Sequence, residues 1–454
     1  MASTMNPYAY TEDLPMVETA IRTGVRLFPE LPPHVARVDE IRETAQRLAR
    51  RSELLKDNRF LEHPSLPAAY AFFGQFVAHD LTFSTTALRP QRGPSWADNQ
   101  RTPRLDLDSV YGGGPNLRPE LYAEQNPQDP QRERRLRYRF LVEERSGGKV
   151  KVADLPRTRS GRAVVADPRN DSNVLAAQLH VAFLRFHNRV LDELTKPDFS
   201  GSASLEAFRE ARRQTCWHYQ WVVLHDFLKR IVDPARVDDL LDNGGRRSRA
   251  LQSLIGWEIH DGGGLPMEFT GAAFRIGHSL LHYQYQLRDR QKPIGFHGLT
   301  GFRELDPKLR VDWDRFFVRE CGDFERCRRL DRFMPDFPVE SESEARTLIE
   351  LDLLRGQELG LPSGQTIARA LGMRSVHPGA DDPLWYYVFK EAELARRGQC
   401  LGPLGGLLVA HVFVDVLRRD PDSFLIQDPN WIPTLGGDGR QFDLRSFLAY
   451  AKVV

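Results

Sequence analysis

In the stretch FFGQFVAHDLTF, Gln75 and His79 stand four residues apart. On a helix both side chains then project from one face, with Asp80 about 100° further round. A polar pair inside an otherwise apolar helix costs stability unless it lines a cavity or finds partners. An imidazole there is suited to moving protons near neutral pH, although a satisfied core histidine explains the pair equally simply. In RTPRLDLDSVYGGG, the oxygen-bearing side chains of Thr102, Asp106 and Asp108 fall close together, and the Arg104 carbonyl adds a fourth oxygen. Hard oxygen donors on a short loop suit Ca2+. The spacing is not that of an EF-hand, and an ordinary Asp-rich turn accounts for it too.

Two further segments carry candidate chemistry. In ADPRNDSNVLAAQLH, Pro168, Asp171 and Ser172 are the residue types a helix start needs, so capping accounts for the latter two. Arg169 has no such role and points either into a site or into water. In FTGAAFRIGHSLLHY, Thr270 is placed to cap a helix on which Arg275 and His278 share a face. Gly277 removes side-chain bulk where something flat would approach.

The elements that must position these residues are mostly helical. Apolar residues recur at three and four over about 65–82, 172–195, 204–231, 270–284, 346–356 and 402–418, the helical period. A charged helical stretch, VDEIRETAQRLARRSELL, lies in a Pro-containing N-terminal arm, residues 1–60. Strand alternation is scarce, and FLVEERSGGKVKVADLP, with Gly147 and Gly148 at its turn, is the clearest hairpin. The expected architecture is one large, mainly α domain over residues 61–454.

Bulk properties remove several function classes. The 454 residues carry 63 basic and 62 acidic side chains, and the interleaved charges argue against nucleic acid or an anionic membrane as partner. Four cysteines without a CxxC pair make neither a zinc ribbon nor a secreted disulfide framework. HExxH is absent, which disfavours a zinc hydrolase. The most apolar stretch, LGGLLVAHVFVDVL, is too short to span a bilayer. MASTMNPYAYTEDLP has no secretory signal pattern, so a cytoplasmic protein is expected.

Taken in order, FGQFVAHDLTF, RTPRLDLDSVYG, DPRNDSN…LHVAFLRFHNRV and FRIGHSLL resemble the signature segments of the animal haem peroxidase superfamily. That superfamily holds the mammalian defence and thyroid peroxidases, peroxidasins, cyclooxygenases and bacterial relatives. A fifth segment, LDLLRGQELGLPSGQ, is similar to the family's helix behind the proximal histidine. The resemblance runs from about residue 60 to 420. It implies a helical domain with haem between distal and proximal helices. His79, Arg169 and Gln75 match the distal catalytic residues, and His278 matches the iron ligand. Arg275 and Arg355 match arginines that hold haem propionates. Asp352 stands where mammalian members have an asparagine bonded to the proximal histidine. Asp80, Thr102, Asp106, Asp108 and the Arg104 backbone oxygen match a calcium site.

The resemblance implies a peroxidase that reduces hydrogen peroxide and, through compound I, oxidises a small phenolic or halide donor. In mammalian members two carboxylates form ester bonds to the haem. Those positions are Ala78 and Ser172 here, and Asn173 stands where one branch has a sulfonium-forming methionine. Haem b held without covalent bonds is therefore expected, with one Ca2+. A fatty-acid oxygenase is the main alternative, but its radical-forming tyrosine, three residues before the proximal histidine, is replaced by Arg275. A non-catalytic haem-binding sensor is a second alternative, which intact His79 and Arg169 oppose.

Overall fold

A computed structural model describes residues 22–83 except 57, 98–123, 138–195 except 148 and 149, 204–242, and 264–454 except 321, 336–338, 341–344 and 438. The stretch 1–21, Gly148 of the expected turn and Cys321 lie outside the described residues.

Helices of seven residues or more are numbered in chain order: α1 (Val38–Leu54), α2 (Ala69–Leu81), α3 (Val174–Leu194), α4 (Leu205–Trp221), α5 (Pro234–Asp242), α6 (Leu348–Glu358), α7 (Gly364–Ala370), α8 (Leu384–Arg396), α9 (Pro403–Arg419) and α10 (Leu444–Tyr450). The fold is mainly α, as expected. Local chemistry sets several helix starts. The side chains of Asn173, Ser204 and Thr347 accept from Ala176 N, Ala207 N and Glu350 N at 2.8, 3.1 and 3.0 Å, capping α3, α4 and α6. At α9 a distant residue does the work: the buried Glu391 carboxylate of α8 accepts from Leu404 N and Gly405 N.

The expected helix over 65–82 begins only at Ala69. Residues Glu62–Pro67 are extended and pair antiparallel with Arg326–Arg328. The Pro at 67 disfavours the helical conformation in the residue before it. The hairpin is present, Glu143–Gly147 against Val150–Asp154. The expected helix over 204–231 continues past Trp221 as a π segment, Val222–Phe227, and a last turn, Leu228–Ile231.

The helix expected over 270–284 is a correction. Only Phe269–Ala273 is helical, with π geometry, and His278 lies on the turns that follow. Tertiary bonds tie the residues after His278 to residues 328–331. Leu280 O accepts from Arg328 N at 3.0 Å, and Ser279 Oγ lies 3.0 Å from the carbonyls of Arg329 and Asp331. Thr270 does not cap; its hydroxyl reaches back to Pro266 O at 3.3 Å.

One continuous apolar cluster runs from Leu27 to Ala451. Within it α2 is buried along nearly its whole length, with Phe76 stacked on Phe183 of α3 at 4.2 Å and Phe73 edge-on to Phe227 at 5.5 Å. Gly74 permits that approach, since a Cβ would lie 3.1 Å from the Phe227 ring. The Phe269–Ala273 segment is packed by α6, α8 and α9, and α1 lies against α6. Among the described residues no helix is long and apolar enough to cross a membrane.

Candidate active site

α2 delivers His79, and the turn Pro168–Asp171 ahead of α3 delivers Arg169. The turn is capped by Asp167, which accepts from Arg169 N at 2.9 Å. The cap roles expected of Asp171 and Ser172 are thus filled by Asp167 and Asn173, a correction. The Arg169 guanidinium returns to the end of α2, where Nη2 donates to His79 O at 3.0 Å and to Thr82 O. A cation at exposed C-terminal carbonyls is favourable both as a donor and towards the helix dipole. The guanidinium also lies over the Phe83 ring, 4.9 Å from its centroid.

Asp167 orders this corner. It is fully buried and accepts from Arg169 Nε at 3.0 Å, Arg169 Nη2 at 2.7 Å and Arg101 Nη2 at 2.7 Å. Burial alone would raise its pKa, but Arg169 and Arg101 outweigh burial and hold the carboxyl well below the usual range. His79 is pushed the other way. Burial first, and Arg169 second, lower its pKa to about 3. It is a neutral base at any working pH above that value. Its Nδ1 lies 2.8 Å from Asn170 Oδ1.

Gln75 belongs to a second polar group. Its Nε2 donates to Ser172 Oγ at 3.2 Å, and Asn173 Nδ2 donates to Gln75 Oε1 at 3.2 Å. Gln75, Ser172 and Asn173 therefore make a neutral hydrogen-bonded cluster.

The second expected set also assembles. His278 Nδ1 faces Asp352 Oδ2 at 3.7 Å, Arg355 Nη1 donates to Asp352 Oδ1 at 2.7 Å, and Arg275 Nε lies 3.9 Å from the same oxygen. Burial would raise the pKa of Asp352, yet the His278 contact, Arg355 and Arg275 together lower it. The His278 side chain is 35% exposed while Asp352 is 2% exposed. The ring thus turns one nitrogen to a buried carboxylate and leaves its other edge open, the arrangement a metal-ligating imidazole needs. A Cβ on Gly277 would meet nothing within 4 Å, so there is open space beside it. These residues fit a haem iron ligand. Arg275 and Arg355 lie against Asp352 and Thr270 O rather than displaying a propionate cradle.

The expected calcium donors gather around α2. Asp80 accepts from Leu107 N at 3.2 Å, Ser109 N at 3.2 Å and Ser109 Oγ at 3.0 Å. Burial, then Asp106, raises the Asp80 pKa to about 7; burial, then Asp108, raises that of Asp106 to about 6. Like charges facing one another out of water are chemistry that a cation relieves. The geometry is not a finished cage. Thr102 Oγ1 donates to Asp106 at 2.9 Å, Arg101 Nη1 takes Asp108 at 2.8 Å, and the Arg104 side chain turns to Asp420 at 3.4 Å. Among the described residues no group of three acidic, imidazole or thiol side chains converges as a metal-holding cluster.

Sequence reasoning missed Asn170, Asp167, His180 and Arg101. His180 had a signal, a polar residue on the apolar face of α3, but nothing in the sequence showed its partner.

The animal haem peroxidase family model matches residues 89–381. The chain belongs to that family. It is similar to Peroxidase mlt-7 of Caenorhabditis elegans, 24% identical over 44% of this chain and 26% of that protein. It is also similar to the chorion peroxidase of Drosophila melanogaster, 30% identical over 28% of this chain and 15% of that one. The matches thus span about a quarter or less of the relatives' length. Among solved structures, Peroxidase A from Dictyostelium discoideum aligns over 89% of this chain and 87% of its own, with TM-score 0.59 and 14% identity. The fatty acid α-dioxygenase of Arabidopsis thaliana aligns over 94% and 76%, with TM-score 0.56 and 15% identity. At such identities these likenesses show the fold.

Proposed function

We propose that this protein is a haem-dependent peroxidase that reduces hydrogen peroxide with electrons from a small phenolic or halide donor. The observation that carries the reading is His79, buried beside Arg169 with its Nδ1 on Asn170, where burial keeps the imidazole neutral. When bound, haem supplies the iron at which the O–O bond is cleaved and the oxidising equivalents are held. His278 would ligate that iron, Asp352 would raise its basicity, and Arg275 and Arg355 would turn to the propionates. Neutral His79 would take a proton from hydrogen peroxide and return it to the oxygen that leaves as water. Arg169, permanently charged and held in place by Asp167, stabilises the negative charge that builds on the departing oxygen. Gln75, Ser172 and Asn173 supply donors and acceptors for peroxide or water.

Asp80, Thr102, Asp106, Asp108 and the Arg104 carbonyl oxygen would hold one Ca2+ behind His79. The peroxidase reading is preferred to fatty-acid oxygenation because, by the resemblance, Arg275 stands where the oxygenases have their radical-forming tyrosine. The test is steady-state turnover of peroxide with guaiacol, iodide and bromide, set against oxygen uptake with linoleate. His79→Ala should keep haem and lose about 10²–10⁴-fold in its rate with peroxide, whereas His278→Ala should lose normal haem ligation. Oxygen uptake with linoleate and no peroxide turnover would overturn the reading.

A further inference from the structure

Proton transfer at His79 leaves two buried polar groups of the distal corner without a role. Asn170 is fully buried in the turn that carries Arg169, and His180 is 1% exposed on α3. They are joined: Asn170 Nδ2 donates to His180 Nδ1 at 2.9 Å, while Asn170 Oδ1 lies 2.8 Å from His79 Nδ1. An amide oxygen can only accept, so His79 Nδ1 must carry a proton. An amide nitrogen can only donate, so His180 Nδ1 must be bare. A neutral imidazole has a single N–H, and its position on one nitrogen leaves the other as a lone pair.

We infer that Asn170, held in orientation by His180, is a positioning residue that fixes His79 as the Nδ1–H tautomer and so keeps Nε2 as its proton acceptor. The tautomer is a statement about this chain alone; its catalytic consequence rests on the peroxidase reading. The direction of the amide decides everything. Turned over, it would donate to His79 Nδ1, force the proton onto Nε2 and present a donor where the peroxide needs a base. His79 and Asn170 cannot settle that choice between them, because the pair is satisfied either way round. In the structure Nδ2 faces His180 Nδ1, and this second bond holds the amide with Oδ1 toward His79. Burial lowers the His180 pKa to about 4, so it stays neutral and able to accept. Its ring is fixed edge-on to Phe76 at 6.1 Å, and the Asn170 backbone is tied down by its N–H bond to Asp167 O at 3.0 Å.

The experiment reads the tautomer directly. In the full chain labelled with 15N-histidine, His79 signals are assigned by their loss in His79→Gln. The expected result is a protonated-type shift at Nδ1 and an unprotonated-type shift at Nε2. Asn170→Leu removes both hydrogen bonds at similar volume, and His180→Phe removes only the acceptor for Nδ2. In each, the two His79 nitrogens should move toward averaged shifts. With haem added, both variants should react with peroxide at least tenfold more slowly, with unchanged haem content and unchanged KM for the reducing donor. A His79 proton on Nε2 in the unsubstituted chain, or wild-type shifts in both variants, overturns the inference. If the shifts behave as stated but the haem-loaded protein does not consume peroxide, the peroxidase reading fails and the positioning role of Asn170 stands.

Discussion

Asp171 and Ser172 are neighbours that face different partners. Ser172 joins Gln75 and Asn173, while both oxygens of Asp171 are taken by Arg157, Nη1 to Oδ2 at 2.8 Å and Nη2 to Oδ1 at 2.9 Å. That bidentate pair is buried, Arg157 being 2% and Asp171 3% exposed, so swinging the carboxylate free would break it and leave Arg157 to Asp154 alone. An ester link to haem needs a carboxylate at a ring methyl. Ala78 and Ser172 have none to give, and Asp171 is committed elsewhere. Haem should therefore leave the denatured protein in acidified organic solvent, even after peroxide treatment. A denaturing mass spectrum that shows haem mass retained on the chain would refute this. Without ester links the iron should be a weaker oxidant, so iodide and phenols should be oxidised and chloride hardly at all.

Between elements, the distal turn depends on a glycine far away in sequence. A Cβ on Gly301 would lie 1.7 Å from the Asp171 carbonyl oxygen, and no side-chain rotation relieves a clash with backbone. The approach is close because Gly301 N bonds Ser172 O at 3.0 Å and Phe302 N bonds Asp171 O at 2.8 Å. Gly301→Ala should push the turn carrying Arg169 and Asn170 out of register. The expected cost is about 1–3 kcal/mol of stability, with a peroxide rate at least tenfold lower and haem still ligated by His278. Wild-type melting temperature and rate in this variant would show that the turn yields freely.

This dependence also marks what the sequence could and could not tell. α2, α3, α6 and the hairpin were legible because their periodicity is local. The order of the motifs also singled out His79, Arg169, His278 and Asp352, which the structure brings together as two pairs. The break after Ala273 was not legible, since the residues that follow are tied to residues 328–331, far away in sequence. Asp167 gave no signal in the sequence; only the fold brings Arg101 to it and makes it the shared anion of two arginines.

At the scale of the whole molecule, the acidic loop beside α2 ties protonation to stability, and the proposed Ca2+ would enter the same balance. Asp80 and Asp106, ordinarily near 3.8, titrate at about 7 and 6 when no cation is present. Folded-state values raised above the unfolded ones mean that the folded chain binds these protons more tightly. Their contribution to stability is then full below about pH 4 and is lost as pH rises through 6 and 7. A bound Ca2+ replaces the protons, so its affinity must climb over the same interval as the carboxylates ionise. In chelator, the melting temperature should fall between pH 5 and pH 8, while in excess Ca2+ that fall should be suppressed. At a concentration a hundredfold above Kd the cation would supply about 2.7 kcal/mol, enough to move the melting temperature by a few degrees. Arg101, already bound to Asp108, limits the gain by neutralising one carboxylate, so Arg101→Gln should strengthen cation binding at pH 8. Metal analysis of protein purified without chelator should find calcium near one per chain. A Ca2+-induced shift of equal size at pH 5 and pH 8 would show that Asp80 and Asp106 do not take part.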